Sequence, residues 1–214
     1  MRKLITADEK GFTLVEMLFV VLLFPIVFLG IFSMLNIATD TFYTGDIYHR
    51  LNQSSMQTLR YIGREISQTS PLTSPSHLNI STDANGDSTV RFQIPVDWDN
   101  DSDVVTSDLS PDYEWGAYDQ AGAKTSGRLN GWIQYIVVND ATYGKQLHRR
   151  ILDASYTQIS GLDQVVSSNV NTFVVSQSTN SVTMTLSLIG TDSVGERTLN
   201  STFTSRTMLR NAVD

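Results

Sequence analysis

From Met17 to Leu35 the chain reads MLFVVLLFPIVFLGIFSML, nineteen residues without a charge, and the apolar character continues weakly through Ile37 and Ala38. As a helix this run would span roughly 28 Å, close to the thickness of a bilayer's hydrocarbon core. The pattern then changes. Between Asp40 and Ser70 there is no proline, and Ile47, Leu51, Leu59, Ile62 and Ile66 fall on one face at helical spacing, which predicts an amphipathic helix. Arg50, Arg60, Arg64 and Glu65 fall largely off that stripe, and Ser70-Pro71 marks the expected end. Joined, the two segments would make one nearly continuous helix of roughly 85–90 Å if straight.

Residues 71–214 carry a different period. Ser88–Val96, Gly131–Val138, Gln146–Leu152, Thr172–Ser176, Ser181–Ile189 and Arg197–Thr204 are short, alternating and rich in β-branched or aromatic residues, with turn residues between them. Asn139 through Gly144 and Ser178 through Asn180 suit hairpin turns, and Asp83 through Asp87 suits a turn leading into the first strand. Arg149 and Arg150 are adjacent on one strand, so only one of them can face the core. The expected fold class is α+β, a long N-terminal helix on an antiparallel sheet or two. Four segments follow: 1–11, 12–38 as the membrane-spanning part, 39–70 as its amphipathic continuation, and 71–214 as a β-rich domain.

Composition narrows the functions. The 214 residues carry 22 Asp+Glu against 15 Lys+Arg, a net charge of −7, and no cysteine. An acidic chain is poorly suited to a phosphate backbone, whose binding depends on clustered cations. Without cysteine there are no disulfides, no thiolate-held zinc and no thiol catalysis. Arg2, Lys3 and Lys10 precede the apolar run, so the positive-inside tendency predicts a cytoplasmic start, a single span of the inner membrane and an exported C-terminal part. A cleaved secretory signal fits less well: the run is longer than an ordinary signal core, no small-x-small site follows it, and Glu16 stands inside its beginning. A carboxylate at membrane depth costs at least a few kcal/mol unless paired. No lysine or arginine follows Glu16 within 30 residues, which predicts a cationic partner from outside the local chain.

Gly11-Phe12-Thr13-Leu14-Val15-Glu16, after a short charged leader and before the apolar run, resembles the processing signature of type IV pilins and type II secretion pseudopilins. The resemblance implies that a prepilin peptidase removes residues 1–11 by cutting between Gly11 and Phe12, and methylates the new amino group of Phe12. It also implies that Glu16 pairs with that cation on a neighbouring subunit during assembly. Many family members carry a helix-loosening proline about two turns beyond Pro25, where this chain has Ser33. The element order and size after the helix resemble J-type minor pseudopilins and W-type minor pilins. The implied partners are other major and minor pilins or pseudopilins, an inner-membrane assembly platform and lipid. The implied destination is a pilus or a periplasmic pseudopilus, which this subunit would prime or cap. A tip adhesin or DNA-uptake subunit of the same machinery is an alternative, as is a membrane-tethered calcium-dependent module that never polymerises.

The one candidate metal site is the acidic run beginning at Asp97. Asp97, Asp99 and Asp101 match alternate ligand positions of a calcium loop, Asp103 would offer its carbonyl, and Asp108 stands at the twelfth position. Ser102 in place of the turn glycine and the short Asp108 in place of glutamate depart from that template. His49, His77 and His148 stand apart in sequence, and Asp97 or Asp99 with Glu114 form no recognisable acid–base signature, so no catalytic residue is assigned and no enzyme is expected.

Overall fold

The computed structural model of the protein describes residues 12–70, 76–97, 105–107, 110–120, 127–191 and 198–209. The chain divides into two compact units, the first ending at Gly45 and the second beginning at Asp46.

One helix, α1 (Leu14–Ile66), contributes to both units. Every described residue of its first unit, from Phe12 to Gly45, is exposed, and by length and composition the helix is apolar enough to cross a membrane. Pro25 lies inside α1 without ending it, at the loss of the one hydrogen bond its missing N–H would have made. Thr39, Thr41 and Thr44 turn their hydroxyls back to the carbonyls of Leu35, Ile37 and Asp40 at 2.7, 2.8 and 2.9 Å. Each polar group is thereby satisfied within the helix.

In the second unit the stripe is buried as its spacing requires: Ile47, Leu51, Leu59, Ile62 and Ile66 all join the core, with Ser55 and Thr58 filling the steps between. Each fully buried isoleucine contributes about 1.5–3 kcal/mol relative to exposure. Glu65 departs from the expectation, since it is buried rather than off the stripe. The helix also stops at Ile66, short of Ser70. Gln68 and Thr69 bond three residues back, to Glu65 and Ile66, while the Ser67 hydroxyl and Gln68 amide cap the Arg64 carbonyl. Tightened i−3 bonds and side-chain caps use the last carbonyls before the proline is reached.

Thirteen strands follow among the described residues: β1 (Leu78–Thr82), β2 (Ser88–Phe92), β3 (Ile94–Pro95), β4 (Val105–Ser107), β5 (Ser110–Tyr113), β6 (Trp115–Tyr118), β7 (Gly127–Leu129), β8 (Trp132–Asp140), β9 (Gly144–Leu152), β10 (Gln158–Ser167), β11 (Val170–Ser178), β12 (Ser181–Thr191) and β13 (Thr198–Met208). They form a five-stranded sheet β1-β2-β8-β9-β10, a three-stranded sheet β11-β12-β13 and smaller sheets β3-β6-β7 and β4-β5, all antiparallel. The expected α+β class holds.

The segment expected as one strand over Ser88–Val96 is two, in different sheets. Gln93 separates them, with its side chain on His77 and the Gly131 carbonyl and its N–H on the His77 carbonyl. Pro95, which cannot donate to a ladder, falls in β3 at the edge of its sheet. Aspartates head three of the turns. Asp83 accepts from the N–H groups of Asn85 and Asp87, Asp140 from Thr142 and Tyr143, and Asp153 from Ser155 and Thr157.

The two larger sheets meet through side chains. Asp87 accepts from Phe173 N at 3.0 Å and Ser88 Oγ from Val175 N at 2.9 Å, while Lys145 Nζ bonds Asp87 at 2.8 Å and the Asn171 carbonyl at 3.2 Å. These groups satisfy the edge of β11 in place of a neighbouring strand. Val90, Phe92, Ile133, Tyr135, Leu147 and Ile151 of the larger sheet share one core with Phe173, Met184, Leu186 and Leu188 and with the α1 stripe. A Cβ at Gly190 would lie 2.5 Å from Ile47 Cγ2, so only glycine allows β12 to sit this close to the helix.

Candidate functional site

The first candidate site is the start of α1. Phe12 is exposed at 77%, and Gly11 lies outside the described residues. Thr13 is the N-cap and Glu16 its third helical position. Glu16 N–H donates to Thr13 Oγ1 at 3.3 Å, and Glu16 Oε2 accepts from both the N–H and the hydroxyl of Thr13 at 2.9 Å. This is a capping box, legible in the sequence as Thr13-Leu14-Val15-Glu16. The carboxylate therefore has a local partner that the expectation of an outside cation did not include. Both bonds use Oε2. The donor N–H belongs to the Phe12–Thr13 peptide, which lies beyond the Gly11–Phe12 bond.

The second is buried. Glu65 and Arg149 are 5% and 2% exposed and face each other from α1 and β9. Arg149 Nε reaches Glu65 Oε2 at 3.0 Å, Nη2 reaches Oε1 at 3.0 Å, and Tyr135 donates its hydroxyl to Oε2 at 2.5 Å. Arg149 Nε also reaches Glu65 Oε1 at 3.2 Å, and Nη2 and Nη1 donate to the carbonyls of Tyr118 and Asp119 at 3.0 and 3.2 Å. A cavity of about 520 Å³, lined by Tyr61, Asp119, Arg149, Leu162 and Asp163 among others, opens beside the pair. All three guanidinium nitrogens are already engaged within the protein, so the pair is a latch holding helix to sheet. Arg149 is the inward member of the Arg149–Arg150 pair, as alternation requires, while Arg150 bonds Asp163 at 3.0 Å. Sequence spacing gave no sign that Glu65 would be its partner, because the two lie on different elements and far apart in the chain.

Burial above all, then the nearby Glu65 charge, holds the Tyr135 hydroxyl well above the ordinary tyrosine range, and burial raises Tyr61 as well. The folded state thus keeps a phenolic proton that the unfolded chain releases near pH 10. Stability from this source is complete below pH 10 and falls above it, by at most about 1.4 kcal/mol per pH unit for Tyr135. Denaturant titrations between pH 8 and 11 should show this decline, with a shallower slope in Tyr135→Phe; an unchanged slope in that variant would assign the decline to other groups.

Of the acidic run, only Asp97 is described; Asp99, Asp101, Asp103 and Asp108 lie outside the described residues. Asp97 donates its N–H to the Tyr118 hydroxyl at 3.1 Å, and its neighbour Val96 donates to the Glu114 carbonyl at 2.9 Å. Among the described residues no three His, Asp or Glu side chains form a group able to hold a metal ion. The histidines are not brought together. His49 is exposed on α1, His77 stacks on Trp115 with centroids 4.0 Å apart, and His148 Nδ1 lies 2.6 Å from Asp163.

Comparison of the chain with protein-family models, with curated proteins and with solved structures found no match.

Proposed function

We propose that this chain is a structural subunit of a helix-cored filament, a minor pilin or pseudopilin of the J or W type, that primes or caps a type IV pilus or a type II secretion pseudopilus. The observation that carries the reading is the Gly11–Glu16 hexapeptide at the head of an uncharged run on an exposed helix. A prepilin peptidase would cut before Phe12 and turn its amide into an ammonium, delivering a cation to the depth where Glu16 lies. The capping box survives that cut, because the Thr13 N–H stays an amide. Glu16 Oε1, which takes no part in the bonds to Thr13, would then accept the Phe12 ammonium of a neighbouring subunit, at a depth where an unpaired carboxylate is costly. The β-rich unit would stand outside the inner membrane and meet other pilins there, while the helix meets lipid, the assembly platform and the filament core.

The test is intact-mass and N-terminal analysis of the protein from membranes with and without a prepilin peptidase. The expected result is peptidase-dependent loss of residues 1–11 and one added methyl group on Phe12. A chain that still begins at Met1 in the presence of the peptidase would overturn the proposal.

A further inference from the structure

The sheet edges differ in how they are closed. The outer edge of β11 is satisfied by Asp87, Ser88 and Lys145. β10 is interrupted by register shifts and by Gly161 at φ 81°, and β1 is only five residues long. Among the described residues β13 has none of these protections: it pairs with β12 over all eleven residues without a shift, contains no proline or lysine, and ends its sheet. A long, regular, open edge is a template for another strand.

Beside that edge runs a groove of about 720 Å³ between β13 and the outer part of α1. Phe203, Ser205 and Thr207, alternate residues of β13, line it together with Met56, Arg60 and Arg64 of the helix. Met56 and Met208, at 58% and 60% exposure, flank it with adaptable apolar surface. Arg60 and Arg64 are exposed one turn apart, and neither guanidinium has an ion-pair partner among the described residues. Two free cations above an open strand, on a chain of net charge −7, select for an acidic occupant.

We propose that the groove docks an extended, acidic segment of a partner protein, which adds to β13 as a fourth strand. Its backbone bonds the open edge of β13. Every second side chain points to the helix side, where apolar residues meet Met56 and Phe203 and carboxylates meet Arg60 and Arg64.

The experiment uses the full chain in detergent micelles and fluorescence anisotropy with three labelled nine-residue peptides: one with threonine at every second position and valine and glutamate in turn at the positions between, its valine–lysine twin, and the glutamate peptide N-methylated at alternate amides. The glutamate peptide should bind roughly tenfold tighter than the lysine twin, and N-methylation should abolish binding. Arg60→Glu combined with Arg64→Glu, which alters only exposed side chains, should reverse the charge preference. Equal binding of the two charged peptides, retained binding of the methylated one, or no binding of the glutamate peptide at millimolar concentration would each overturn the proposal.

Discussion

Replacing Arg149 with methionine is expected to lower the stability of the β-rich unit by about 3–5 kcal/mol, a large share of the roughly 5–15 kcal/mol that holds an ordinary domain together. The loss comes less from the missing attraction than from what stays behind. Glu65, 5% exposed, would keep only the Tyr135 hydroxyl, and a carboxylate in that position must either remain ionised without a counter-charge or take up a proton. The Tyr118 and Asp119 carbonyls would lose their donors as well. Removing both charges is a different experiment. Glu65→Met together with Arg149→Met should recover at least half of the loss, because two apolar side chains of similar size leave no orphaned charge. Denaturant melts of the full chain in micelles measure both. If Arg149→Met alone lies within about 1 kcal/mol of the parent chain, the latch is not what fastens α1 to β9.

The second large effect is expected at Glu16, and it rests on the proposed filament role. Glu16→Ala should leave peptidase cleavage intact yet deplete the subunit from the filament fraction by roughly a hundredfold, the equivalent of losing one desolvated ion pair. Thr13→Ala separates the two jobs of that carboxylate. It removes the cap hydroxyl, a change worth about 0.5–2 kcal/mol at the helix start, but leaves the charge, so incorporation should fall far less. The ratio of subunit in sheared filaments to subunit in membranes reads both variants. Equal depletion by Thr13→Ala and Glu16→Ala would mean that the carboxylate acts only as a cap, and normal incorporation of Glu16→Ala would remove it from assembly altogether.

Much of the architecture could be read from local pattern, because local pattern is what builds it. The Ile47–Ile66 stripe, the uncharged run and the paired hairpins β8–β9 and β11–β12 each follow from a single period held over several residues. What escaped had a broken or shared signal. β10 carries Gly161 at positive φ and a register shift, so its alternation fails in mid-strand. β1 offers only Leu78 and Ile80 as inward apolar positions. The division at Gln93 depends on His77 and Gly131, partners remote in sequence. Glu65 looked like a surface charge because the group that neutralises it comes from a strand. At the helix start the position was reversed: the Thr13–Glu16 box is written in four adjacent residues, but a carboxylate at membrane depth calls for a cation, and its local partner is neutral.

The close seat of Ile47 on Gly190 also has a meaning in time. The two residues are about 140 positions apart, and at synthesis rates of 5–20 residues per second the interval between them is roughly 7–28 s. For most of that interval Ile47 and Leu51 are clear of the ribosome while the strand that covers them has not been made. Met184 and Thr207, which pack on Gly63, come equally late. The nascent chain therefore carries its apolar stripe uncovered for most of its own synthesis, directly behind a segment fit to enter lipid. Early insertion of the first segment would hold that stripe at a membrane surface, where it is kept apart from other nascent chains until its own last strands arrive.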